Sequence, residues 1–245
     1  MTTLSLNSEW GFFDRIMKKT PVSPLCDATE LSQLLGPIVS INPEEYAGLY
    51  PVHYAAWRGN EKGLRAILVR TTTLETRDIA GQTPLHCAAK AGSEQTVAVL
   101  LEHRANANAR DFRGATPIHY AVEGGHIAIA MQLLTLGCEV NRQDLRGETA
   151  LHSAVARGSM EAVMLLLAFG ADPNLSDNRG ATPLHYAVQG HEFEKARVLL
   201  LNGADAARRD AQGQIALSYA EELRSEPINQ LLAISDLEID RRAEN

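Results

Sequence analysis

Five histidines stand at a constant step of 33 residues: His53, His86, His119, His152 and His185. Imidazole is the side chain best suited to acid–base work near neutral pH and is the commonest metal ligand. Zinc coordination and proton transfer are therefore the first chemistries to weigh, and the spacing disfavours both. A residue that recurs once per packed helical unit returns about every 10 Å, the separation of neighbouring helix axes. Zinc–nitrogen bonds are near 2 Å. The other histidines, His103, His126 and His191, are solitary, the last beside Gly190 where other copies of the same segment have glycine. Cys26, Cys87 and Cys138 are far apart and form no CxxC, so neither a disulfide framework nor a zinc ribbon is expected. Reduced thiols in a cytoplasmic setting fit them better. No GxxxxGKS/T, GxGxxG, HExxH or GxSxG motif occurs. The expectation is a chain with no catalytic residue, no metal and no cofactor.

The elements that carry these histidines explain the step. Thr83-Pro84-Leu85-His86 recurs as Thr116-Pro117-Ile118-His119, Thr149-Ala150-Leu151-His152 and Thr182-Pro183-Leu184-His185, with a weakened copy at Ile215-Ala216-Leu217-Ser218. Asp78, Asp111, Asp144, Asp177 and Asp210 keep the same period, as do Gly81, Gly114, Gly147, Gly180 and Gly213. Leucine pairs at 100–101, 133–134, 166–167 and 199–200 follow in phase. Such internal periodicity is the signature of a stacked repeat architecture.

One copy can be read physically. Asp-x-x-Gly is turn chemistry, with glycine at a positive φ and the aspartate bonding its own backbone. Thr-Pro opens a helix, a hydroxyl cap followed by a residue preset for the first turn. That helix runs through Ala88-Ala89 and breaks near Gly92; a second runs from about Glu94 to His103, with Val97, Leu100 and Leu101 on one face. Neither helix can bury its apolar face alone, so neighbouring copies must complete the core.

The D-x-x-G-x-T-P-L-H-x-A pattern, with a later L-L and the stretch Gly170-Ala171-Asp172-Pro173-Asn174, resembles the ankyrin repeat family. The resemblance is strong from about residue 48 to 220. It implies an all-α solenoid of stacked helix pairs with short β-hairpin or turn fingers projecting from one side. It also implies that the repeat histidines are structural, bonding neighbouring loops and helices. The expected divisions are a capping segment at 1–47, repeats at 48–77, 78–110, 111–143, 144–176 and 177–209, a capping repeat at 210–234 and a polar tail at 235–245. In the N-terminal segment Leu34-Leu35 and Asn42 keep the period, Pro21 and Pro24 displace the first helix, and Trp10, Phe13 and Met17 space as one face of a substitute capping helix. Leu223, Ile228, Leu231 and Leu232 support helix at the other end.

Composition agrees with this reading. Thirteen aromatics (six Tyr, five Phe and two Trp) make up 5% of 245 residues while the apolar set reaches 45%, a core of small and aliphatic side chains. Residues 48–217 carry 17 acidic and 17 basic side chains, so the net charge of −7 resides at the two ends. A neutral array with acidic ends excludes nonspecific phosphate binding, and no nucleic-acid partner is expected. No apolar run approaches the length that spans a membrane, and the N-terminus has no secretory pattern.

In the resembled family, partners bind the concave face made by the finger tips and the first helices. Two rows of variable residues would line it here: Tyr54, Cys87, Tyr120, Ser153, Tyr186 and Tyr219, then Trp57, Lys90, Glu123, Ala156, Gln189 and Glu222. The tips add Ile79-Ala80, Phe112-Arg113, Leu145-Arg146, Asn178-Arg179 and Ala211-Gln212. Tyrosine, tryptophan and arginine are enriched at binding hot spots, which selects Tyr54, Trp57, Phe112, Arg113, Tyr120, Arg146, Arg179 and Tyr186 as the contact residues. A plainer account of the same rows is that the tyrosines pack between repeats and the arginines are solvated. The function expected is a monomeric, non-catalytic interaction module, an adaptor, scaffold or stoichiometric inhibitor, holding a protein or peptide that bears acidic groups. Alternatives are a ubiquitin-ligase substrate receptor and a bacterial effector acting on host proteins.

Overall fold

The computed structural model describes residues 51–69 and 74–222. The expected N-terminal capping helix, the leucines at 34–35, Cys26 and the helical leucines and tail beyond 222 lie outside them. Eleven helices occur among the described residues: α1 (Pro51–Trp57), α2 (Glu61–Leu68), α3 (Pro84–Ala91), α4 (Glu94–Glu102), α5 (Pro117–Glu123), α6 (Ile127–Thr135), α7 (Ala150–Arg157), α8 (Met160–Ala168), α9 (Pro183–Gln189), α10 (Phe193–Leu201) and α11 (Ala216–Glu222). Odd-numbered helices form one layer, each packed on the next odd one, and even-numbered helices form the second layer in the same way. Consecutive helices also pair within each repeat, from α1·α2 to α9·α10.

The local chemistry explains where each first helix starts. Thr83, Thr116, Thr149 and Thr182 hold extended backbone, and the histidine three residues on takes the place of the glutamate in a capping box. The threonine N–H donates to His Nδ1 at 3.1–3.2 Å in all four. Because Nδ1 accepts, the proton sits on Nε2, which donates to a carbonyl of the following repeat: Ala115 (3.1 Å), Glu148 (3.3 Å), Ala181 (3.2 Å) and Gln214 (3.3 Å). Each histidine thus caps its own helix and staples it to the next finger.

The core is the seam between the layers. Leu64, Leu85, Leu100, Ile118, Ile129, Leu133, Leu151, Leu166, Leu184 and Leu199 are its largest fully buried side chains, with alanines between them letting the helices approach closely. The fingers are turns, and among the described residues they contain no strand. One backbone bond joins each tip to the next: Phe112 N–H to Ala80 O, Leu145 to Arg113, Asn178 to Arg146 and Ala211 to Arg179, at 2.8–3.0 Å. A single rung per repeat is too little for a sheet. A second tie comes from the residue before each aspartate: Arg77 bonds the carbonyls of Gly81 and Arg110, Arg110 those of Gly114 and Gln143, and Gln143 those of Gly147 and Ser176.

Candidate partner-binding surface

Each finger is built on its aspartate. Asp111 Oδ1 accepts from the N–H groups of Arg113 and Ala115, both at 2.9 Å, which fixes the turn and aims the Arg113 side chain. The second oxygen, Oδ2, accepts the Tyr120 hydroxyl at 2.6 Å. That hydroxyl in turn accepts from Gln82 Nε2 at 2.7 Å and Arg113 Nη2 at 2.5 Å. The tyrosine ring stands edge-on to His86 of the preceding repeat, and the Arg113 guanidinium lies 5.4 Å over it. Burial, and then Asp111, push the Tyr120 hydroxyl far above its ordinary pKa, so it is a fixed proton donor. The same unit recurs two repeats later with Asp177, Arg179 and Tyr186, the guanidinium 5.6 Å over the ring. For Asp177, burial is the largest single influence and pushes its carboxyl up, but the bonds from Ala181, Arg179 and Tyr186 together hold it below the usual range.

The repeat before each of these units lacks the tyrosine. Cys87 and Ser153 occupy the row there, and Gln82 and Glu148 reach 38 residues ahead to the hydroxyls of Tyr120 and Tyr186. The repeats flanking them have Ala115 and Ala181 at that place. Over these four repeats a long polar residue with a small neighbour alternates with an alanine with tyrosine, until Gln214 and Tyr219 break the alternation. It was readable as a period of 66 residues but hidden beneath the dominant period of 33.

This wiring decides what each expected contact residue offers. Tyr54 and Tyr120 are 5% and 3% exposed and have almost no area for a partner. They belong to the core, where Tyr120 joins two repeats. Tyr186 is half-buried beneath Arg179. Trp57 is exposed at the end of α1, its ring 6.2 Å from Tyr54 with Arg58 stacked 5.8 Å over it. Phe112 is 65% exposed, its ring resting on the tip of the preceding finger at Gly81. Arg113, Arg146 and Arg179 keep 55–66% of their side chains exposed, yet each lies within salt-bridge reach of its own aspartate, and Arg146 also holds Glu148 at 2.8 Å. Arg113 and Arg146 flank a small notch over Ser153, with Tyr120, Glu123 and Asp144 around it. Ile79 and Leu145, the tip counterparts of Phe112, are also exposed, and hot-spot composition alone passed over them.

The histidines are occupied by their staples. Burial pushes all five below the ordinary imidazole pKa, His86 to about 4, so they are neutral bonding groups. Among the described residues no cluster of histidine, cysteine or acidic side chains could hold a metal. Burial likewise pushes the free thiols up, Cys138 to about 11. Asn141 and Asn174 accept from Asp172 and Asp205 N–H and donate to Gly170 and Gly203 carbonyls, which ties the loops after the second helices together.

The family described as ankyrin repeats (3 copies) matches this chain over residues 52–144 and again over 129–210. The chain belongs to the ankyrin-repeat family. No match was found among curated proteins. Ankyrin arrays are in general protein–protein interaction modules and are typically non-enzymatic. Among the described residues of this ankyrin array, no helix is long and apolar enough to cross a membrane.

Proposed function

We propose that this ankyrin array is a non-catalytic interaction module, an adaptor, scaffold or stoichiometric inhibitor, that grips a protein partner along its finger tips and first helices. The observation that carries the reading is an apolar ridge. Ile79, Phe112 and Leu145 occupy one position in three successive fingers and are 38, 65 and 64% exposed. Large apolar side chains held out on rigid turns, in a row, mark an interaction site. Arg113, Arg146 and Arg179 stand one residue further on, their guanidinium groups held by Tyr120, by Asp144 and Glu148, and by Asp177 and Tyr186, so they present pre-ordered N–H groups at little entropic cost. Their charge is already opposed from below. The partner thus meets an apolar ridge first and arginine forks second, with its acidic groups competing for the remaining N–H donors.

The test is capture by the intact chain against a Phe112→Ala/Arg146→Ala variant. Both side chains are exposed, so the thermal unfolding curve should be unchanged while the captured partner falls at least tenfold. Equal capture by the folded variant would remove the fingers from the interface.

A further inference from the structure

A second surface lies on the opposite layer. The outward residues of α6 are Ala128, Met131 and Thr135, followed by Leu136; those of α8 are Glu161, Met164 and Ala168, followed by Phe169. Met131, Leu136, Met164 and Phe169 are 43, 62, 56 and 40% exposed, and Leu201 on α10 extends the patch at 75%. Thr135 turns its hydroxyl back to the Met131 carbonyl, so it adds no free polar group. At the equivalent places α2 carries Lys62, Arg65 and, just after the helix, Val69, α4 carries Gln95, Ala98 and Glu102, and α10 carries Glu194, Arg197 and Leu201. The place that methionine takes on α6 and α8 is thus arginine on α2 and α10 and alanine on α4.

The border has a sign. Glu139, Glu161, Asp172, Glu194 and Asp205 lie on α8, α10 and the loops after α6, α8 and α10, against Arg142, Arg197 and Arg208; Arg142 pairs with Glu139 and Arg197 with Glu194, which leaves Glu161, Asp172 and Asp205 against Arg208. Two copies laid face to face would set acidic border against acidic border. A helix with an apolar stripe and basic flanks meets both features. Anchors seven residues apart on it are about 10 Å apart, the spacing of neighbouring helices such as α6 and α8. Methionine suits such a face because its unbranched thioether adapts to differing partners.

We infer that the Met131–Met164 face is a docking site for a basic amphipathic helix, independent of the finger surface. The probe is an 18-residue leucine–lysine helical peptide, with a leucine–glutamate twin, followed by fluorescence anisotropy on the full chain. Expected are binding of the lysine peptide, at least tenfold weaker binding of the twin, and at least tenfold loss in Met131→Ser/Met164→Ser. Glu161→Gln/Asp172→Asn should weaken binding and flatten its salt dependence. Phe112→Ala/Leu145→Ala should leave it unchanged, so the two surfaces fail separately. No binding, equal binding of the twin, or equal binding by the folded methionine variant overturns the site. A dimer in sedimentation velocity that the methionine variant abolishes assigns the face to a second copy instead.

Discussion

Arg104 holds φ at 65°, a left-handed conformation that its counterparts Gly137, Gly170 and Gly203 adopt as glycines. A Cβ at those three glycines meets no atom within 4 Å. Space is therefore not the constraint on Arg104, and its cost is conformational alone, on the order of 1 kcal/mol for an L-residue in this region. Arg104→Gly should raise stability by up to about 1 kcal/mol, read as a higher urea midpoint at unchanged slope. Gly137→Arg should lower it by a similar amount. The tyrosines teach a different lesson at this scale. Residue type and period placed Tyr54, Tyr120 and Tyr186 in one row, but not their depth. What ties the hydroxyls of Tyr120 and Tyr186 down is Gln82 and Glu148, which reach to them from the preceding repeat. A bond between residues 38 apart leaves no mark in a local pattern, whereas tip exposure follows from the turn alone and was legible at Phe112.

Elements were far more legible, because each helix is punctuated by residues with a local reason to be there. Thr-Pro and the glycine near 92 bracket α3 at Pro84–Ala91, and the second helix expected from about Glu94 to His103 ends at Glu102, with His103 as its C-cap. Of the expected hairpin or turn fingers, the described residues form turns, since one backbone bond joins neighbouring tips. Among the four first helices that open on threonine, α7 lacks the proline, and Ala150 takes the N1 place. Thr149 nevertheless holds φ −92° and ψ 169°, matching Thr182 before Pro183 at −90° and 168°. Extended backbone is what a residue before proline requires, and the N1 amide has no partner within its helix. Ala150→Pro should therefore stabilise the protein by roughly 0.4–1 kcal/mol, through a less flexible unfolded chain. A lowered thermal midpoint would mean that α7 starts differently from its neighbours.

Over the whole molecule, the five histidine staples act together. Each is buried and neutral, with a folded pKa below its unfolded value, and for His86 the folded value is about 4. The unfolded chain thus binds protons that the folded chain refuses. Stability from this source is complete above pH 6.5 and falls as pH drops below it, by about 1.4 kcal/mol per pH unit for each histidine excluded from protonation. In a stack held by nearest-neighbour contacts, every staple lost weakens the docking of one repeat on the next. The array should therefore unfold in acid well before its carboxylates titrate, with the urea midpoint dropping steeply between pH 6.5 and 5. His86→Gln isolates one staple. Glutamine can still accept the Thr83 N–H in a capping box but does not titrate. The variant should be less stable at pH 7.5, having lost the bond to Ala115 O at 3.1 Å. Its slope of stability against pH should nevertheless be shallower by about 1.4 kcal/mol per unit, the uptake of one proton fewer. If both slopes are equal, His86 is protonated in the folded array, and the neutral staple between finger and helix is not what joins these repeats.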